Sequence, residues 1–414
     1  MPELVVLAEQ LLAPVPGGTG RYTAQLLSAL AATAPPGWTV SSVVARHADV
    51  SAARVEGVEG PRTLPLPPRA AIAMWQFGVP WWPGGDAVHA PTPFAPPRPP
   101  AGRTLTVTVH DTVPWTHPET LTARGVSWHR SMIARAARRA SGLIVPTRAV
   151  ADELAVLVDV TVPVRVVPHG VTVPEGSAEL DLPPRYVLAV GTIEPRKGMD
   201  VLVDAVARLD GSAGSDGVAG AGGSAGSGGS AGLGGVAGSG GSAGSTGADG
   251  SAGSGGSAEP GGVTRPGLDG VALVIAGQSG WGAIDPKRLA ADRGLRDVRV
   301  LGKVTDAELA TAIRGASVLA VPSLAEGFGL PLLEAMAMGI PVVHTDVPAL
   351  TEVAAGAGIV VPRGDVAALA NALREVLTTP SRAAELSRLG RERARTFTWR
   401  AAAEAVWAAH RRPS

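Results

Sequence analysis

The sequence predicts an α/β protein with two parallel-sheet domains, because one local order of elements occurs three times. An apolar strand at Leu4–Ala8 precedes a glycine-rich loop and a helix at Ala24–Ala32. The same order restarts with the strand Arg185–Val190 and the helix Met199–Leu209, and it occurs again within residues 317–345. Short apolar strands that alternate with amphipathic helices are typical of parallel sheets.

The composition of the chain argues against several classes of protein and site. The chain has 414 residues, a formal net charge of zero and no cysteine. Zero net charge argues against electrostatic binding of nucleic acid, and the lack of cysteine excludes disulfides and thiolate metal sites. Met1–Leu12 lacks the basic start of a signal peptide, and no segment offers the roughly 18 apolar residues of a membrane span. We therefore expect a cytoplasmic protein with no nucleic-acid partner.

Two segments of the first half have more than one interpretation. The aromatic residues of Trp75–Phe77 and Trp81–Trp82 are interpreted as core beneath a loop or, alternatively, as an aromatic wall for a sugar or lipid acceptor. The predicted helix Ser127–Ala140 is rich in arginine, which favours a solvated basic face and leaves peripheral contact with anionic lipid as the alternative. The other predicted segments are the strands Thr39–Ala45, Asp86–Ala90, Thr104–Val109, Gly142–Pro146 and Val164–Val167, the helix Ala149–Leu157 and a proline-rich connection at Pro61–Pro68.

The second half begins after a predicted linker at Leu180–Pro184. Residues from Asp210 to about Gly267 form a Gly, Ala and Ser insert that we expect to be disordered, because it cannot bury enough apolar surface to offset its ordering entropy. The other predicted segments are the strands Ala272–Ala276, Val298–Leu301, Glu352–Ala355 and Gly358–Val361, a helix that starts at Asp306, the helix Val366–Leu377 and a last helix opened by Phe397–Trp399.

The segment 317–345 carries the strongest chemical signal. It predicts a strand, a glycine turn, a helix that Gly339 closes, and a second strand. A glycine turn at a helix N-terminus offers backbone N–H groups and a positive dipole end to an anion. The carboxylates of Glu326 and Glu334 flank this turn; a lone pair of glutamates would be interpreted as solvated or capping carboxylates, whereas beside the glycine turn Glu334 can accept a hydrogen bond from a sugar hydroxyl.

Three other segments place polar groups after predicted strands, where ligands bind in open α/β sheets. His110 and Asp111 follow the strand Thr104–Val109; from position alone, this imidazole either binds a sugar hydroxyl or is a loop histidine with satisfied hydrogen bonds. Arg196 and Lys197 follow the strand Arg185–Val190, and two adjacent cations suit a diphosphate. The loop 16–22 follows the first strand; taken alone, its glycines predict either a close approach to a ligand or a tight structural turn.

The segment from Pro322-Ser323 to Pro341-Val342 closely resembles the signature of retaining glycosyltransferases of family 4, which have the GT-B fold. The resemblance implies that Glu326 contacts the donor sugar and that Glu334 contacts the nucleotide ribose. Glu194–Gly198 resembles the family's diphosphate-binding segment, which assigns that role to Arg196 and Lys197. His110-Asp111 resembles the His-Asp pair of bacterial mannosyltransferases in this family, in which the histidine contacts the donor sugar.

The same resemblance implies further positions in the cleft. The N-terminal glycine loop would lie near the diphosphate and the acceptor, the backbone at Val304 would seat the base, and the loop 277–282 would approach the nucleotide. His169 stands where the family usually has asparagine, and a turn residue is sufficient explanation for it. The expected donor-binding residues are Gly18, Arg196, Lys197, Val304, Gly327, Phe328, Gly329, Leu330 and Glu334; the expected catalytic residues are Glu326, His110 and Asp111.

The implied fold is GT-B, with two Rossmann-like domains that face a central cleft. We expect an N-terminal acceptor domain at 1–179, a C-terminal donor domain at 180–396 that contains the insert, and a helix at 397–414 that crosses back onto the N-terminal domain.

The implied function is a retaining glycosyltransferase that moves a hexose, with a slight preference for mannose from GDP-mannose, to a hydroxyl of a glycan, glycolipid or small glycoside. The expected mechanism needs no metal and no cofactor. The alternatives are a nucleotide-sugar epimerase, which would act without an acceptor, and a non-catalytic nucleotide-sugar-binding subunit, which would bind without turnover.

Overall fold

Two parallel sheets form the frame of the protein. The computed structural model describes residues 1–209, 268, 270–280, 282 and 284–411, and the predicted insert at 210–267 therefore lies outside the described residues. In the first half the strands are β1 Glu3–Leu7, β2 Thr39–Val44, β3 Glu59–Thr63, β4 Ala87–Ala90, β5 Thr104–Thr108, β6 Gly142–Val145 and β7 Val164–Val166. They pair in the order β3-β2-β1-β4-β5-β6-β7.

Helices connect these strands and cover both faces of the first sheet. They are α1 Gly17–Ala32, α2 Pro68–Gln76, α3 Val113–Thr116, α4 Ala123–Arg139 and α5 Arg148–Leu157. Short 3-10 turns lie at Glu9–Leu12, Ser51–Ala53 and Pro118–Thr120. The prediction of a parallel-sheet half is confirmed.

The second half repeats the arrangement. Its strands are β8 Tyr186–Val190, β9 Ala272–Ala276, β10 Val298–Val300, β11 Val318–Val321, β12 Val342–Thr345 and β13 Ile359–Val361, paired in the order β10-β9-β8-β11-β12-β13. Its helices are α6 Met199–Leu209, α7 Pro286–Asp292, α8 Asp306–Gly315, α9 Leu330–Met338, α10 Pro348–Ala354, α11 Val366–Thr378, α12 Pro380–Ala394 and α13 Trp399–His410, and a 3-10 turn lies at Pro195–Lys197. The capping box of Thr305 and Glu308 starts α8 at Asp306, the residue at which the sequence predicts the helix to begin.

The strand orders explain where a ligand can bind. In each sheet the chain winds outward in one direction and then restarts on the other side, at β1 and β4 in the first sheet and at β8 and β11 in the second. Ligands bind in the crevice outside the carboxyl ends of the strands at such a switch point. The loops that follow these four strands are therefore the expected site.

The last helix, α13, packs on the first half. Ala403, Val406 and Trp407 are buried in one cluster with Leu26 and Leu30 of α1. At the end of α13, the two ring nitrogens of His410 lie 2.8 and 2.9 Å from hydroxyls on β5. The domain boundaries themselves stay a prediction.

Four differences from the sequence predictions have physical reasons. The loop 16–22 is mostly helix, because the chain turns helical at Pro16, whose carbonyl accepts the Gly20 N–H at 2.9 Å. The connection Pro61–Pro68 contains part of β3, an edge strand where proline is tolerated. Residues 352–355 end α10 rather than extend the sheet, because Pro348 starts a helix whose buried residues repeat at helical spacing. The predicted helix Ser127–Ala140 begins four residues earlier, because Thr122 caps it.

The aromatic group of the first half divides. Trp75 is fully buried, which confirms its interpretation as a core residue, whereas Phe77 is 84% exposed.

None of the helices within the described ranges is long and apolar enough to cross a membrane.

Candidate functional site

A cleft of about 650 Å³ lies at the carboxyl ends of the strands, with lining residues from both halves. The first half contributes the start of α1 and the loop after β5, and the second half contributes the loops after β8 and β11. The structure places every predicted site residue on this cleft except Glu334, which lines a smaller adjoining cavity of about 120 Å³.

The centre of the cleft is a cluster of opposite charges. Lys197 Nζ lies 2.6 Å from Glu326 Oε1, and Ser323 Oγ donates to the same oxygen at 2.8 Å. Arg196 pairs with Glu194 at 2.6 Å and lies 3.9 Å from Glu326 Oε2. Burial raises the pKa of Glu326, but the two cations outweigh burial and hold it below the usual range. Glu326 is therefore ionised at neutral pH.

Glycine brings the two loops of this cluster together. Gly198 ends the 3-10 turn that carries Arg196 and Lys197, and it has a φ of 62°. A Cβ on Gly198 would lie 2.2 Å from the carbonyl oxygen of Pro322, on the neighbouring loop. Only glycine combines this left-handed backbone with so close an approach.

The N-terminus of α9 faces the same space. Gly329 precedes it in the left-handed conformation, with φ 92°, and no side chain caps this end of the helix. The first N–H groups of a helix carry a partial positive charge and bind anions. The cleft therefore offers two side-chain cations and a helix N-terminus within one region.

Glu334 lies on α9 and meets the facing half. Its Oε1 contacts Nη2 of Arg21 on α1, and its Oε2 is buried without a hydrogen-bond partner among the described atoms. Burial raises the pKa of Glu334 to about 7, although Arg21 acts in the opposite direction. The carboxylate that the family resemblance assigns to ribose is thus paired across the cleft.

His110 and Asp111 form the opposite wall. Nε2 of His110 lies 2.8 Å from the Pro91 carbonyl oxygen, so Nε2 carries a hydrogen, and burial lowers the pKa of this imidazole. Its neutral form therefore has Nδ1 as an acceptor. Asp111 Oδ1 accepts the Val113 N–H at 3.1 Å. A Cβ on Gly327 would lie 1.8 Å from the His110 carbonyl oxygen, so the two walls touch through backbone.

The sequence predicts that His169 is a turn residue, whereas the structure places its ring among aromatic residues of both halves. Its ring is 5% exposed and packs 4.4 Å from the ring centroids of both Tyr22 and Phe328, one from each half. Neither ring nitrogen has a partner among the described atoms, and burial holds the pKa of His169 well below its usual value. Its departure from the family's asparagine was the available signal.

Two family models match separate parts of the chain, one in each half. The model described as "Glycosyltransferase Family 4" matches residues 16–173, and the model described as "Glycosyl transferases group 1" matches residues 263–379.

Curated relatives align with part of the chain. The chain is 36% identical over 129 residues to O-antigen chain mannosyltransferase B of Escherichia coli, which covers 31% of this chain and 34% of the relative. It is 40% identical over 142 residues to a D-inositol 3-phosphate glycosyltransferase of Saccharomonospora viridis, which covers 33% of each. These alignments span about a third of the curated relatives' length.

Solved structures resemble the whole chain. Sucrose-phosphate synthase of Thermosynechococcus elongatus has a TM-score of 0.66 at 20% identity, covering 99% of this chain and 98% of that one. The Anabaena protein Alr3699/HepE in complex with UDP-glucose has a TM-score of 0.64 at 16% identity, covering 99% and 100%. Together with the two parallel sheets, these likenesses confirm the GT-B fold.

Proposed function

We propose that this chain, which belongs to the family-4-like glycosyltransferases of the GT-B fold, is a retaining enzyme that transfers a hexose from a nucleoside diphosphate sugar to a hydroxyl acceptor. The observation that carries the proposal is the arrangement of Arg196, Lys197 and the α9 N-terminus around the ionised Glu326, opposite His110 and Asp111.

Each group has a role that its surroundings support. Arg196 and Lys197, with the N–H groups at the α9 N-terminus, stabilise the negative charge that develops on the departing diphosphate. Glu326 accepts hydrogen bonds from donor-sugar hydroxyls rather than forming a covalent intermediate, and His110 binds the sugar from the other wall. Glu334 accepts the ribose hydroxyls when Arg21 releases it. These cations do the work that a metal would otherwise do, so we propose a metal-free reaction.

The transfer keeps the anomeric configuration. The acceptor hydroxyl attacks the anomeric carbon from the face that the diphosphate leaves, the bond from that carbon to the phosphate oxygen breaks, and the departing oxygen takes the hydroxyl proton. The protein's contribution is positioning and electrostatic stabilisation in a confined cleft.

Mannose from GDP-mannose is the proposed donor sugar. The support is the similarity to a protein named O-antigen chain mannosyltransferase B and to a phosphatidyl-myo-inositol mannosyltransferase of Mycobacterium leprae, which is 36% identical over 143 residues.

Calorimetric titration with GDP, UDP, dTDP and ADP in the presence of EDTA tests the donor site. We expect one diphosphate to bind, and GDP to bind most tightly. Binding of none would overturn the proposal. Proton NMR of the matching nucleotide sugar then separates the functions: a transferase forms a glycoside only with an acceptor and otherwise only hydrolyses the donor, an epimerase converts it to an epimeric nucleotide sugar without an acceptor, and a binding subunit changes nothing.

We also propose that α4 supplies a peripheral membrane contact. Arg138 and Arg139 are exposed at its end, and the exposed Phe77 lies beside them at the rim of one cavity. An aromatic side chain among arginines suits an anionic lipid surface. Co-sedimentation with anionic but not with zwitterionic vesicles is the expected result, and equal recovery with both would contradict it.

A further inference from the structure

A second cavity opens beside the donor cleft, entirely within the first half of the chain. It has a volume of about 340 Å³. Thr19, His110 and Asp111 line both this cavity and the donor cleft. Ligand pockets generally have volumes of about 300–1,000 Å³, so a monosaccharide unit fits. The two cavities therefore meet at the wall where the proposed transfer takes place.

The second cavity has an aromatic and apolar lining. Trp128, Phe94, Ile72 and Ile133 contribute to its walls. The indole N–H of Trp128 is buried and has no hydrogen-bond partner among the described atoms. Pyranose rings bind through apolar C–H faces against an aromatic ring and through hydroxyls that pair with polar groups, and the indole of Trp128 offers an aromatic face to such a ring.

The fixed charges of this lining are negative. Within the described ranges, no lysine or arginine lines the cavity, whereas Glu9 and Asp111 do. Glu9 is held in place, because its Oε2 accepts the Ala45 N–H at 2.7 Å and its Oε1 lies 2.8 Å from His47 Nε2. Arg130 is on the same helix as Trp128, but it donates to the Pro114 carbonyl at 2.8 Å.

The cations of the neighbouring donor cleft already have other partners. Arg196 and Lys197 serve the donor diphosphate in the proposed reaction, and Arg21 pairs with Glu334. A phosphate monoester carries a charge of about −1.5 to −2 at neutral pH, and like charges brought together in a site disfavour binding.

We propose that this cavity binds the acceptor and selects a neutral saccharide over a phosphorylated one. Trp128 supports the sugar ring, and the acceptor hydroxyl points past Asp111 toward the donor. This inference rests on the proposed transferase function and adds the acceptor class to it. It separates this chain from its relatives that are named for inositol 3-phosphate.

The test compares matched acceptors that differ by a phosphate. Hydrolysis of the donor sugar by water is first measured without acceptor, which establishes the transferase site independently. Methyl α-mannoside, octyl α-mannoside, methyl α-mannoside 6-phosphate, myo-inositol and inositol 3-phosphate are then added in turn. We expect the neutral sugars to exceed their phosphorylated counterparts in kcat/KM by about tenfold or more. Methyl and octyl mannosides distinguish a soluble glycan acceptor from a lipid-linked one.

Two variants test the cavity itself. Trp128→Ala should raise the KM for the neutral acceptor by about tenfold, and Trp128→Phe should restore most of the loss because it keeps an aromatic face. Ile72→Lys places a cation in the lining and should shift the preference toward the phosphorylated acceptor. Failure of donor binding and hydrolysis would refute the transferase proposal. Normal donor hydrolysis with a preference for phosphorylated acceptors, or with no acceleration by any acceptor, would refute the acceptor assignment alone.

Discussion

Replacement of Lys197 by alanine is the most informative perturbation of the donor site. The side chains of Lys197 and Glu326 are only 18% and 13% exposed, and their charged atoms are 2.6 Å apart. In the proposed reaction, Lys197 also faces the diphosphate as negative charge develops on it. The substitution therefore removes the ion pair with Glu326 from the folded protein and the contact with the diphosphate from the transition state.

The two losses have different magnitudes. A hydrogen bond between charged groups contributes about 1.5–3 kcal/mol, and Arg196, 3.9 Å from the same carboxylate, keeps part of the compensation. We expect Lys197→Ala to lower the free energy of unfolding by less than about 3 kcal/mol, which leaves the protein folded. Removal of one preorganised group that stabilises transition-state charge costs about 10²–10³ in kcat, or roughly 2.7–4 kcal/mol.

The assay is transfer from GDP-mannose, with urea unfolding measured on the same samples. Arg293→Ala is the matched control, because it also removes an ion pair, the 2.7 Å contact between Arg293 and Asp204. Both side chains of this pair are more exposed than those of Lys197 and Glu326. The control should retain transfer. A Lys197→Ala protein that is folded and transfers within about fivefold of wild type would refute the diphosphate role.

Two further perturbations test the walls of the cleft. Gly327→Ala should lower kcat by about tenfold or more with the fold intact, because its Cβ would lie 1.8 Å from the His110 carbonyl oxygen and force the walls apart. Gly142→Ala is its control, since Gly142 on β6 does not line the cleft and its Cβ would meet its nearest atom, the Pro163 carbonyl oxygen, at 3.2 Å; equal loss in both variants would contradict the argument. Burial raises the pKa of Glu334 from 4.5 to about 7, so the folded protein keeps a proton that the unfolded chain has released. The free energy of unfolding should therefore fall between about pH 4.5 and 7, by up to about 3 kcal/mol from this group, and Glu334→Gln should flatten that slope in urea titrations; an unchanged slope would show that Glu334 does not titrate there.

Local pattern was sufficient for most of the fold. The helix Met199–Leu209 and the strand Ala272–Ala276 have the predicted bounds, because apolar periodicity and flanking turn residues agree there. Residues 352–355 were mistaken for a strand, because a short apolar stretch does not show whether its period is that of a strand or of a helix. The only helix signal is Pro348, which lies six residues before the end of α10 at Ala354. Sequence pattern also did not predict α12, whose exposed face is long and charged.

The candidate site was predictable where one motif supplies both the backbone and the side chain. Glu326 and the α9 N-terminus belong to one motif, so their proximity follows from chain connectivity. The contact of Arg21 with Glu334 was not predictable, because it joins helices of different halves. The aromatic environment of His169 was hidden for the same reason, and the second cavity depends on Trp128, which sequence reasoning treated only as part of a basic helix.

The contact at Gly327 explains why the distance between the two walls is set by backbone rather than by mobile side chains. The Gly327 carbonyl accepts the Thr147 hydroxyl at 3.2 Å, and its Cα lies against the His110 backbone. Both His110 and Gly327 are adjacent to groups of the proposed reaction, Asp111 on one side and Glu326 on the other. A Cβ at position 327 would therefore press on the acceptor wall, at the His110 carbonyl and 3.1 Å from the Cβ of Asp111, while it adds and removes no charge. The glycine of this motif thus serves the approach of the two halves as well as the turn before α9, and the Gly327→Ala variant separates positioning from charge stabilisation in the measured rate.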